Sequence, residues 1–188
     1  MKSKFTTYHI CMIALAIVIN IVGGQIALLL RLPIYLDSIG TIFIAAVCGP
    51  FYGMLPSLLS GLIFGMTSDP YALYYAPVGI LLGFLVGAVW KCSIQRPMKV
   101  LFTAFLVTVP TSFVSALITS FVFGGITSSG SSYLVLAFSK MGMSLMMSSF
   151  LVQLGTDYLD RVLSMFLVLV LLKKFPAGFL NKLNSHKG

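Results

Sequence analysis

The chain has 188 residues, 59% of them hydrophobic and 9% charged, with a mean hydropathy of +1.04. Soluble domains carry about 25% charged residues, so this composition excludes an ordinary water-soluble enzyme and fits a chain built for lipid. The net charge of +8 is read as a topology signal and as anionic-lipid contact, with no support for a nucleic-acid partner.

A helix needs about 20 apolar residues to cross the hydrocarbon core. The first uncharged run, Phe5–Leu30, is long enough for one crossing. It lacks a small-residue cleavage site and exceeds the apolar region of a signal peptide, so it is expected to be retained as a helix near 8–30. Within it Asn20 and Gln25 flank Gly23-Gly24. Buried amides are costly without partners, which marks both as candidates for a polar pocket. The run from Ser38 to Ser68 is interrupted by Gly49-Pro50 and predicts two short helices, near 37–48 and 51–67. Further helices are predicted near 71–90, 100–123 and 150–172, with Pro110 as a kink in the fifth. Segment 133–150, with Lys140, Met141, Met143, Met146 and Met147, is expected to be a lid or surface helix on the outer face.

These six helices form one all-α transmembrane domain over 1–172, followed by a basic tail over 173–188. Lys/Arg bias sets the orientation. Lys2, Lys4, Lys91, Arg96, Lys99, Lys173, Lys174, Lys182 and Lys187 collect on one side, against Arg31, Lys140 and Arg161 on or toward the other. Both termini are therefore expected in the cytoplasm. Cys11, Cys48 and Cys92 fall near the cytoplasmic helix ends, where structural disulfides are not expected. No cysteine or histidine spacing suggests a metal.

The chain has four acidic residues, all aspartate: Asp37 and Asp69 in the outer loops, Asp157 and Asp160 early in the last helix. All four fall on or near the outer face. At about 1.5 Å per residue, Asp157 and Arg161 lie roughly 24 and 18 Å above Lys173, inside a core about 30 Å thick. Ionisable groups at that depth face a bundle interior or a wet cavity. Gln153, Asp157, Asp160, Arg161 and Ser164 share one helical stripe. Asp157 and Arg161, at i and i+4, either neutralise each other or line a pocket; Asp160 is left without an evident partner.

Tyr35 precedes Asp37, and Tyr71, Tyr74 and Tyr75 follow Asp69. Tyrosines at this depth serve as interfacial anchors or as a lid that stacks on a flat ring. Asp69 and Asp37 are alternatively helix caps. Thr108, Ser112, Ser115 and Thr119 form a hydroxyl stripe on the fifth helix, lining the pocket or bonding neighbouring backbone. Gly53, Ser57, Gly61 and Gly65, then Gly79, Gly83 and Gly87, make small-residue ridges that allow close helix packing, either internally or against a partner.

Three stretches, YLDSIGTIFIAAVCGPFYGMLPSLLSGLI (35–63), YYAPVGILLGFLVGAVWK (74–91) and DYLDRVLSMFLVLVLLKKFP (157–176), carry a resemblance. They resemble the substrate-binding S component of energy-coupling factor (ECF) transporters, in the riboflavin-transporter-related branch. The resemblance implies a compact bundle of six transmembrane helices in a bacterial cell membrane. It also implies a subunit that captures a micronutrient on the outer face and pairs with a membrane scaffold subunit and two ATPases, with no catalysis or cofactor of its own. Small residues of the early helices would dock the scaffold, here Ala14, Ala16 and Asn20, with Gly53, Ser57 and Gly61 as further candidates.

The binding region implied by the resemblance coincides with the carboxylates and tyrosines found independently. The expected site is Tyr35, Asp37, Asp69, Tyr71, Tyr74, Tyr75, Lys140, Gln153, Asp157, Asp160 and Arg161. Carboxylates favour a ligand with N–H donors or positive charge, and tyrosine faces favour a ring. A nitrogen-heterocycle vitamin of the hydroxymethylpyrimidine or pyridoxine type, riboflavin, or a queuosine precursor fits that description. A stand-alone proton-coupled carrier or channel using Asp157 and Asp160 is the alternative. The chain lacks a Walker A motif, and the serines of TSSGSS (127–132) have no histidine placed as a base.

Overall fold

The computed structural model describes residues 7–93 and 97–174, with no side-chain description for 91–93 and Pro97. Seven helices, and no strand among the described residues, make up the fold: α1 (Thr7–Leu29), α2 (Ile39–Cys48), α3 (Pro50–Thr67), α4 (Tyr71–Ser93), α5 (Pro97–Phe121), α6 (Ser131–Lys140) and α7 (Leu145–Lys174). The expected tail beyond Lys174, together with Lys2, Lys4 and Arg96, lies outside the described residues.

The short helix α2 is the hub. It packs on α1, α3, α4 and α7, and Gly40–Ala45, Val47 and Cys48 are all buried. The chain then breaks as the Gly49-Pro50 pair predicts. Gly49 has φ +94°, which favours glycine, and Pro50 opens α3 at its first turn, where a missing N–H costs nothing. Ile42, Ile44, Leu82, Val86, Val107 and Met165 form the apolar core around this hub.

Beside this core the bundle also shelters polar side chains, and its outer surface is largely apolar. On α7 the buried residues include Gln153, Asp157, Asp160, Arg161 and Ser164, while Leu159, Leu163, Leu167 and Val170 are exposed. Leu15, Val18, Val22 and Ile26 of α1 and Phe102, Phe105 and Phe113 of α5 also face outward. Such a surface is stable in hydrocarbon, where interior polar groups must find one another. Three helices among the described residues are long and apolar enough to cross a bilayer: Thr7–Leu29, Tyr71–Trp90 and Met98–Phe121. The protein is thus of a membrane-embedded type.

Two expectations need correction. Segment 133–150 is not one helix: α6 ends at Lys140, Gly142 turns the chain at φ +96°, and α7 already starts at Leu145. Ser144 marks that start, its Oγ accepting from the Met147 N–H at 3.3 Å. The small-residue ridges, secondly, serve internal packing, the first of the two uses open to them, which tells against Gly53 and Ser57 as docking residues. A Cβ on Gly53 would sit 2.5 Å from the Ala45 Cβ and 2.9 Å from the Gly83 carbonyl, and one on Gly79 would strike Ser57 Oγ. Ala16 is buried with its backbone against Gly40. Asn20 is 1% exposed and holds three elements together: its amide donates to Thr41 Oγ1 at 2.8 Å and Ser60 Oγ at 3.4 Å, and its carbonyl accepts from the Gly40 N–H at 2.8 Å. Gly61 packs beside Ala76. Of the six expected docking residues, Ala14 is the exposed one.

Candidate functional site

The α1–α2 loop is folded down onto the bundle. Arg31 and Leu36 take φ +50° and +53°, a left-handed conformation that non-glycine residues adopt only when surroundings compel it. Two contacts do so. Gly23 leaves room for the Leu36 carbonyl, which would lie 2.0 Å from a Cβ at that position. From the other side, Asp160 Oδ1 accepts the Leu36 N–H at 2.9 Å. The α5–α6 loop reaches across to the same place, with Gly130 against the Arg31 carbonyl.

These two loops, with α1, α3, α4, α5 and α7, enclose a cavity of about 110 Å³. One water molecule needs about 10–15 Å³ on that measure, so there is room for several waters or a compact ring. Asp37, Asp69 and Asp157 line it, with Arg161 as a cationic member and Tyr35, Tyr71 and Tyr75 as aromatic ones. Apolar wall comes from Ile21, Leu28, Phe64, Val78 and Leu82. Asp160 stands directly behind, fully buried, and forms an ion pair with Arg161. Every acidic residue of the chain therefore converges on one cavity.

Each carboxylate is held differently. Asp160 accepts from the Leu36 N–H, from Ser38 Oγ at 3.0 Å and from Arg161 Nη1, and Arg161 Nη1 also donates to Ser38 at 2.9 Å. The pairing across one turn expected between Asp157 and Arg161 is replaced by this one between neighbours, so Asp160 is the best-partnered acid. Asp157, 4% exposed, accepts from Ser112 Oγ at 2.7 Å through Oδ2. Its Oδ1 has no hydrogen-bond partner among the described residues. Asp69 caps α4, accepting the Tyr71 N–H at 3.1 Å, and takes a second, short hydrogen bond from Ser128.

Asp37 does not cap α2: the cap position is Ser38, which makes no side-chain cap bond. The Asp37 side chain keeps accessible surface, yet it lines the cavity and is surrounded by protein. This enclosure, with the Asp160 carboxylate nearby, pushes its carboxyl up to about 6, against the opposing pull of Arg161. Burial holds the Tyr35 hydroxyl up at about 12, with Ser129 opposing, so it remains a donor.

Gln153 lies behind the lining, donating to Thr119 Oγ1 at 2.5 Å, and Thr119 in turn meets the Tyr75 hydroxyl at 2.5 Å. The hydroxyl stripe of α5 is thus divided in use: Ser112 serves Asp157, Thr119 serves Tyr75 and Gln153, and Ser115 lines the cavity. Tyr71, Tyr74 and Tyr75 surround Phe123, with centroids 4.7, 5.1 and 6.0 Å away. Part of the aromatic surface expected for a ligand is therefore occupied by this phenylalanine. Tyr74 is exposed and outside the lining, as is Lys140.

Residues that sequence reasoning passed over include Ser38, Phe123, Ser128 and Ser129. Ser38 stands next to Asp37, and the run 127–132 is serine-rich; clustered hydroxyls in so apolar a chain were the available signal, better read as partners for acids than as a nucleophile. Among the described residues no group of three His, Cys, Asp or Glu side chains is arranged to hold a metal. Compared with protein-family models, curated proteins and solved structures, the chain matches none of them.

Proposed function

We propose that this protein is the substrate-binding subunit of an ECF-type importer in a bacterial cell membrane. It would capture a nitrogen-heterocycle micronutrient from outside and deliver it inward with a membrane scaffold subunit and two ATPases. One observation carries this reading: the four carboxylates of the chain gather with one guanidinium around a single cavity under the α1–α2 and α5–α6 loops. A structural role alone would not require three of them to face open space.

Topology is part of the proposal. Counting α2–α3 as two short crossings and α7 as the last gives six spans and places both termini in the cytoplasm, in keeping with the basic inner loops. The scaffold would then meet the outward face of α1 around Ala14, since the other expected docking residues face inward. A proton relay through Asp157 and Asp160 has less support, because Asp160 is immobilised by three donors.

The affinity-tagged chain purified from its native membrane tests the assignment. Co-purification of an integral scaffold protein and two ATP-binding proteins is the expected result. Recovery of the chain alone, with substrate uptake by proteoliposomes containing only this chain, would overturn it.

A further inference from the structure

The site is an unevenly neutralised one. Among the described residues Arg161 is the one cation in the cavity wall; its Nη1 is engaged by Asp160 and Ser38, while its buried Nε has no hydrogen-bond partner. Asp157, more than nine-tenths buried, presents an Oδ1 with no partner among the described residues. The Asp37 carboxylate lines the cavity with accessible surface and takes its hydrogen bond from its own backbone N–H. Both carboxylates line the same space. A desolvated carboxylate left unpaired costs free energy that a charge-assisted N–H···O bond recovers.

From this geometry we infer that the cavity selects an organic cation, an amidinium or protonated amine on a compact ring. Its N–H groups bridge Asp157 and Asp37, and its body lies against Leu28, Phe64 and Leu82. The inference rests on the capture role proposed above and narrows it, excluding neutral and anionic occupants of the same shape. A neutral ring leaves the two carboxylates with Arg161 alone as counter-charge, which they share with Asp160. An anionic one adds repulsion from a lining of three carboxylates against one guanidinium. A bare metal ion fits poorly, since most of such a wall is apolar and that part supplies no oxygen ligands.

Three probes of nearly one shape and different charge test it: benzamidine (cationic at neutral pH), benzamide (neutral) and benzoate (anionic), titrated calorimetrically into the purified full-length protein in detergent at pH 7.5. Benzamidine is expected to bind at least about ten-fold more tightly than either isostere, the lower end of what a charge-assisted hydrogen bond contributes. Asp157→Asn should reduce that preference. Equal or tighter binding of benzamide or benzoate overturns the cation inference while leaving a ligand-capturing cavity in place. Absence of heat from benzamidine at millimolar concentration also overturns it. Co-purification of the importer partners, which needs no ligand, then decides the capture role separately.

Discussion

The Asp160–Arg161 pair gives the most quantitative prediction. Both side chains are buried, and removing Asp160 strips partners from the Leu36 N–H, the Ser38 hydroxyl and the Arg161 guanidinium together. Removing one member of a buried ion pair costs about 3–5 kcal/mol, mostly from the charge left behind. Arg161 would still have Asp157 and Asp37 nearby, so Asp160→Ala belongs at the lower end, about 3 kcal/mol. For a chain of this length each kcal/mol shifts Tm by about 2–4 °C, giving a loss of roughly 6–12 °C. Arg161→Leu should cost a comparable amount, since it strands Asp160 instead. The double variant should lose clearly less than the two losses added together, with a coupling of about 1–3 kcal/mol. Thermal unfolding of all four proteins in one detergent, followed by circular dichroism, measures this cycle. Strictly additive losses would show that the pair does not hold the α1–α2 loop against α7.

Two further predictions concern packing and pH. Gly83→Ala should destabilise by about 1–3 kcal/mol, because its Cβ would lie 2.3 Å from the Gly53 carbonyl oxygen, which is backbone and cannot swing away. Gly155→Ala on α7 meets nothing within 4 Å and should stabilise by about 0.5–1 kcal/mol through helix propensity; comparable losses in both variants would contradict the α3–α4 packing. The Asp37 carboxyl titrates near 6 in the folded protein against 3.8 as a free side chain. A raised carboxyl binds more protons folded than unfolded, so its contribution to stability is present below pH 4 and lost as pH rises toward 6. With Asp160, Asp157 and Arg161 facing it unchanged, Asp37→Asn should gain in Tm on the wild type between pH 4.5 and 7.5; a difference constant with pH would refute this placement of the carboxyl.

Much of this structure was legible in the chain, and the failures have identifiable causes. The Gly49-Pro50 break was readable because each residue has its own backbone requirement there. Convergence of Asp37, Asp69, Asp157 and Asp160 followed from cost, since carboxylates in so apolar a chain need shelter together. The partner of Asp160 was missed because i, i+4 spacing governs isolated helices, whereas a guanidinium between two acids turns toward the one that loop residues also support. The glycine ridges were ambiguous, because small-residue spacing says that something approaches closely and not what does. Phe123 carries no signal in its own neighbourhood; only the fold brings it among three tyrosines 48 to 52 positions earlier.

Native mass spectrometry of the protein released from mild detergent tests most directly whether the carboxylate-lined cavity is a receptacle. Wild-type protein purified from its own cells should carry a small-molecule adduct of roughly a few hundred daltons, and Asp157→Asn of equal thermal stability should lose it. A wild-type spectrum with no adduct, or an adduct retained unchanged in the variant, would contradict a ligand held by these acids.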